Sequence, residues 1–206
     1  LVGISIMSIY QILPNAPRAE SIAPFTTWEG AFSDEEVEKI IELCETLEKT
    51  EAKVGSGEQG VVNPEVRKTT ISWLKNSEDA SWIYDRIAYV GRRLNSKFYR
   101  FNLYGFIEDI QYTVYEENNE GHYDWHIDIG PENECTRKLS LVIQLSDPSE
   151  YEGGELEILT SRNPESVLKQ KGLAAGFPSY TLHRVTPVTK GTRRTLVIWL
   201  AGPDFV

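Results

Sequence analysis

Cysteine, methionine and histidine are all scarce in this chain, and each scarcity narrows what the protein can be. Two cysteines, Cys44 and Cys135, are too few for a disulfide framework and match no zinc pattern, so they read as two reduced thiols of an intracellular protein. No apolar run approaches the 18 or more residues of a membrane span, and no charged-then-apolar leader opens the sequence. The expected setting is cytoplasmic, with no membrane partner. Basic residues are outnumbered 21 to 31, a net charge of −10, which excludes a large nucleic-acid footprint and favours a neutral or basic partner. The only methionine is Met7; Leu1–Ile6 is expected to be a cloning remnant, with Met7 as the native start.

What is present fits one domain. With 206 residues, 40% of them hydrophobic, the chain can bury a core without crosslinks. The helices belong to the N-terminal part. Ser33-Asp34-Glu35-Glu36 reads as a capping box, followed by Val37, Ile40, Ile41, Cys44 and Leu47 at helical spacing. A second helix is expected to start near Asn76 or Ser77 and to bury Trp82, Ile83, Ile87, Val90 and Leu94. Between them the glycine-rich Lys53–Asn63 segment reads as a mobile surface loop, and Arg67–Leu74 as a strand. Helical support thus spans roughly 30–105.

From about Phe106 to residue 202 the texture changes to short strands broken by turn residues. The expected strands are Ile107–Glu116, Tyr123–Asp128, Arg137–Ser146, Glu155–Thr160, Gly172–Phe177, Tyr180–Thr186 and Arg193–Ala201. Seven or eight strands at this pitch predict a sandwich or barrel with the helices packed outside, a mainly β (α+β) fold.

Three histidines exist, and two fall on expected strands. On a strand, residues i and i+2 share a face, so His126 and Asp128 can hold one ion while Ile127 points away. His183 would complete the set from a strand opposite. Two imidazoles and one carboxylate form the facial triad of non-haem Fe(II) oxygenases. The spacing alone is weak, since roughly four chains in ten of this composition would carry His-x-Asp/Glu by accident. His122 lies in the turn before His126 and reads as solvated. Pro187–Gly191 reads as a turn, after which Arg193, Thr195, Val197 and Trp199 share one face. Parity with Trp199 turns Arg193, rather than Arg194, inward, where a carboxylate ligand would satisfy it with two charge-assisted hydrogen bonds.

Four blocks in order resemble the 2-oxoglutarate- and Fe(II)-dependent oxygenases, in their prolyl 4-hydroxylase-like branch. They are Val66–Leu74, Gln111–Tyr115 with Gly121–Asp128, Arg137–Ser146 with Glu152–Leu156, and Leu182–Arg193. The resemblance implies a double-stranded β-helix (a jelly-roll barrel) with the helices outside. It implies Fe(II) on His126, Asp128 and His183, with 2-oxoglutarate and O2 as co-substrates, and ascorbate in support. Arg193 would grip the distal carboxylate of 2-oxoglutarate, with the Tyr115 hydroxyl on the same group, and Tyr123, Leu156 and Trp199 would line the pocket. Many relatives carry lysine where this chain has Arg193. The implied activity is hydroxylation of an unactivated C–H bond, foremost of a prolyl residue in a peptide or protein, with release of succinate and carbon dioxide. The Lys53–Asn63 loop reads either as a lid that closes over such a substrate or as a passive surface excursion. The alternatives are a non-catalytic metal- or ligand-binding barrel, and an oxygenase of a free amino acid or small metabolite.

Overall fold

The computed structural model describes residues 23–55, 60–129 and 136–205; Leu1–Ile6, Met7 and Cys135 lie outside them. Two helices, α1 (Asp34–Glu45) and α2 (Ser81–Leu94), accompany fourteen strands among these residues. In the N-terminal part the strands are β1 (Thr26–Trp28), β2 (Thr50–Glu51), β3 (Arg67–Lys68), β4 (Thr70–Leu74) and β5 (Gly105–Phe106). The central ones are β6 (Ile110–Glu116), β7 (His122–His126), β8 (Thr136–Gln144), β9 (Tyr151–Gly153) and β10 (Leu156–Ile158). They are followed by β11 (Glu165–Ser166), β12 (Ala174–Pro178), β13 (His183–Val185) and β14 (Val188–Gly202).

All pairings are antiparallel and form two sheets. The larger runs β1-β12-β8-β14-β6-β4-β2, with β5 and β9 also on β14; the smaller runs β11-β10-β13-β7-β3. Together they make the expected double-stranded β-helix.

The helices cover the outer face of the larger sheet because both surfaces are apolar. Ser33 accepts from the Glu36 N–H while Glu36 accepts from the Ser33 N–H, so α1 starts at the expected capping box. Its Val37, Ile40 and Cys44 join Ile83, Ile87, Val90 and Leu94 of α2 over Leu139, Leu141, Ile143, Leu196 and Ile198. A Cβ at Gly91 would come within 2.5 Å of a Leu200 methyl, so glycine sets how closely α2 rests on the sheet. α2 itself begins later than expected. Ser77–Ala80 forms a turn through Ala80 N–H to Ser77 O (3.2 Å), and Ala80 is fully buried beneath it.

Two further expectations are corrected. The single strand Arg67–Leu74 is split at Thr69: β3 pairs with β7 in the smaller sheet, β4 with β6 in the larger. The Thr69 hydroxyl, donating to Val114 O at 2.6 Å, holds the crossing. Nor is Pro187–Gly191 a turn. The link between β13 and β14 is only Thr186-Pro187, and β14 runs on from Val188 because β9 supplies it with a partner. Gly191 keeps a positive φ of +72 there, since a Cβ would meet Glu150 O at 2.0 Å. The short strands β1, β2, β5, β9 and β11 carry too few residues to show a period of two.

Candidate active site

The strands of both sheets are buried on one or both faces, so alternation decides which side chains enter the space between them. On β8, Leu139, Leu141 and Ile143 face the helices, which leaves Ser140, Val142 and Gln144 inside. On β14 the inward set is Arg193, Thr195, Val197 and Trp199, as the parity argument requires; all four line one cavity of about 1310 Å³. From the smaller sheet Tyr123, His126, Leu156, His183 and Val185 line the same space.

His126 ends β7, and His183 begins β13 directly opposite it in register. Asp128 follows two residues on, its N–H bonded to Ser179 O at 2.9 Å, while Ile127 points outward and is 48% exposed. One ligand atom from each of His126, Asp128 and His183 lies within 4.8 Å of the others. Each imidazole has its Nδ1 against a backbone carbonyl: His126 on Asp124 O (2.8 Å), His183 on Thr181 O (2.9 Å). A carbonyl only accepts, so each Nδ1 carries a proton and each Nε2 is the ring nitrogen turned toward Asp128. These Nε2 atoms lie 3.6 Å from opposite oxygens of Asp128, beyond hydrogen-bond length.

The electrostatics suit a cation. Burial, then the neighbouring His183, pushes the His126 pKa well down, keeping the ring neutral. For Asp128 burial works the other way, yet His183, His126 and Ser140 together outweigh it and hold the carboxyl below its usual range. Ser140 donates to Asp128 Oδ2 at 2.6 Å and is itself 3.0 Å from the Ser179 hydroxyl. A preoriented His₂–carboxylate set without thiolate matches the facial-triad donor set for Fe(II). His122 is not in a turn: it opens β7, pairs with Lys68 of β3, and stays apart from the set with its ring nitrogens on Glu120 O and Glu65 O.

Arg193 lies deeper in the cavity, only 2% exposed, and its Nε has no hydrogen-bond partner. Tyr115, its cross-strand neighbour, presents its ring to the guanidinium at 5.2 Å. A buried cationic N–H without an acceptor is unfavourable, and a ligand carboxylate is the group that would relieve it. On the other side of the triad, Tyr123 stacks on His126 (3.5 Å, 13° between planes) and carries Arg67 on its outer face at 4.5 Å. Trp199 lies under the Arg137 guanidinium at 3.8 Å, and that arginine donates to Asp128 O and binds Glu108 through two nitrogens.

Sequence reasoning missed Ser140, Ser179, Arg67, Gln111, Arg137, Gln144 and Tyr151. The available signal was parity. Ser140 and Gln144 alternate with leucine and isoleucine on a strand too apolar for an exposed face, so their polarity had to serve an interior.

Residues 110–201 match the family model of the 2OG-Fe(II) oxygenase superfamily. A PKHD-type hydroxylase of Teredinibacter turnerae is 41% identical over 93 residues, 42% of this chain and 41% of that protein. The matched segment therefore spans about two fifths of the length of that curated relative. Among solved structures, a Pseudomonas putida prolyl-4-hydroxylase superposes with a TM-score of 0.67 at 17% identity, covering 88% of this chain and 94% of its own. A Trichoplax adhaerens prolyl hydroxylase, solved in complex with a hypoxia inducible factor oxygen degradation domain peptide fragment, reaches 0.71 at 16% identity, covering 86% and 83%. Among the described residues no helix is long and apolar enough to cross a membrane. The match lies over the strands that carry the triad and Arg193, so residues 110–201 are similar to the 2OG-Fe(II) oxygenase superfamily, and the chain has the fold that these prolyl hydroxylases use.

Proposed function

We propose that this protein is an Fe(II)- and 2-oxoglutarate-dependent oxygenase that hydroxylates a prolyl residue of a peptide or protein. The observation that carries the reading is one cavity holding both a His₂–carboxylate set with its ligand atoms brought together and a buried arginine lacking an acceptor. His126, Asp128 and His183 would hold the iron, and Arg193, against the ring of Tyr115, would take the distal carboxylate of the 2-oxo acid. Together the bound metal and co-substrate supply the activation of dioxygen and the oxygen atom transferred, with succinate and carbon dioxide as by-products.

The chain's own residues do the positioning. The Asp124 and Thr181 carbonyls fix the imidazole tautomers, and Ser140 orients the Asp128 carboxylate. Leu156, Val142 and Val185 exclude water on one side. Tyr123 and Trp199 form aromatic walls against which a pyrrolidine ring could pack. Room for a chain supports the peptide reading: the cavity exceeds the roughly 300–1,000 Å³ of a small-molecule site and continues past the triad to Trp73, Ile107 and the Lys53–Gly55 edge of the glycine-rich loop. That edge is held by a Val54–Val61 bridge, and residues 56–59 of the loop lie outside the described residues.

Succinate formation from 2-oxoglutarate with Fe(II), oxygen and ascorbate tests the chemistry, with His126→Ala as the control. Proline-containing peptides compared with free proline test the substrate. Turnover on free proline alone would replace the peptide by a small metabolite; metal binding without succinate under any condition would leave a binding barrel.

A further inference from the structure

Two of the three candidate ligands are held by one short turn. Between β12 and β13 the chain closes at Ser179-Tyr180-Thr181, with the Thr181 N–H on Pro178 O at 2.8 Å. Ser179 O accepts from Asp128 N–H at 2.9 Å and from Ile129 N–H at 3.2 Å. Thr181 O accepts from His183 Nδ1 at 2.9 Å. Ser179 is fully buried, whereas Tyr180 beside it is 43% exposed.

The Ser179 side chain reaches the Asp128 carboxylate by a second route. Phe177 of β12 stands opposite Ser140 of β8, and the Ser179 N–H, two residues on, is bound to Lys138 O at 3.0 Å. This register sets the Ser179 and Ser140 hydroxyls diagonally across the strand pair, 3.0 Å apart. A serine hydroxyl has one proton to give. Ser140 uses its proton on Asp128 Oδ2 at 2.6 Å, so toward Ser179 it can only accept, and Ser179 is the donor. The hydrogen bonds therefore run in one direction, from Ser179 through Ser140 to Asp128. Both serines are fully buried, which shuts the two hydroxyls away from bulk water. A hydroxyl that accepts one hydrogen bond donates a stronger one, and it loses the freedom to rotate elsewhere.

We propose that Ser179 is a positioning residue for the metal site: by donating to Ser140 it holds that hydroxyl on Asp128 Oδ2 and fixes the orientation in which the carboxylate is presented to an ion. This rests on the metal-holding role of His126, Asp128 and His183 proposed above. The side chain of Ser179 acts only through Ser140. Its backbone carbonyl, which holds the Asp128 main chain, is kept when the side chain is replaced. The two contributions of this residue can therefore be measured apart.

Calorimetric titration of the protein with Co(II), together with the visible absorption of the bound Co(II), provides the test without turnover. Ser179→Ala is expected to weaken Co(II) about 2- to 10-fold, the size expected for loss of one neutral hydrogen bond. It should also shift the absorption band, which a loss of fold stability alone would not do. Because the relay passes through Ser140, the Ser140→Ala/Ser179→Ala double variant should bind Co(II) no more weakly than Ser140→Ala alone. If Ser179→Ala does not fold, Ser179→Cys, a weaker donor of similar size, carries the same two comparisons. Wild-type affinity in the Ser179 variant, an unshifted band, or affinity losses that multiply in the double variant would overturn the assignment of Ser179 and leave the metal site standing. Failure of the wild type to bind Co(II) would remove both.

Discussion

The two faces of the larger sheet are made from alternate residues of the same strands, and they carry opposite chemistry. Toward the helices, β6, β8 and β14 present Tyr112, Val114, Leu139, Leu141, Ile143, Leu196 and Ile198, with the Tyr112 hydroxyl passed out to Glu45 at 2.7 Å. Toward the smaller sheet the same strands present Gln111, Thr113, Ser140, Gln144, Arg193 and Thr195, all nearly or fully buried. The outer face supplies stability by removing apolar area from water. The inner face keeps polar groups dry, and two of them, Arg193 Nε and the Thr195 hydroxyl, lack partners. Such a surface lowers stability in the free protein unless a ligand completes it.

If that division is right, substitutions on the two faces should separate stability from binding. The largest effect is expected from Asp128→Ala or His183→Ala: complete loss of stoichiometric Fe(II), measured by metal analysis after desalting, with the circular dichroism spectrum retained. Iron bound at wild-type stoichiometry in either would break the comparison at its centre. On the outer face Leu141→Ala should lower unfolding free energy by about 2–5 kcal/mol in a denaturant titration. Its 2-oxoglutarate affinity should be unchanged in the fraction that is folded.

Arg193→Ala should weaken 2-oxoglutarate by about 1.5–3 kcal/mol and spare metal affinity, both read by titration. Ser140→Ala should leave the fold intact and lower metal affinity about tenfold, the low end for a residue that orients a ligand. The smallest expected change is at the periphery. Ser33→Ala removes the α1 cap and should reduce stability by about 1 kcal/mol with no change in either ligand. A binding defect from Ser33→Ala, or a purely thermodynamic one from Arg193→Ala, would blur the division.

The parts legible in advance were those with local signals. The capping box of α1, the apolar stripe of α2, the i, i+2 relation of His126 and Asp128 and the shared parity of Arg193 with Trp199 each follow from a short window of sequence. What failed depended on partners far along the chain. Thr69 divides a strand because its hydroxyl finds Val114 O, and Val188–Gly191 extends instead of turning because β9, distant in sequence, pairs with it. Ser179 was invisible for the same reason, since nothing near it in sequence places it beside Ser140.

The sequence by itself determined which residues face which way, because alternation along a strand is a property of the backbone. It also narrowed the candidate metal ligands, because the chain has only three histidines and one of them, His126, stands two residues from Asp128. Only the tertiary structure decided which inward-facing residues meet. Register across β13 and β7 set His183 opposite His126, and register across β12 and β8 brought Ser179 to Ser140. Those contacts rest on long-range strand pairing, whose register is fixed by burial of whole faces and not by any local residue pattern.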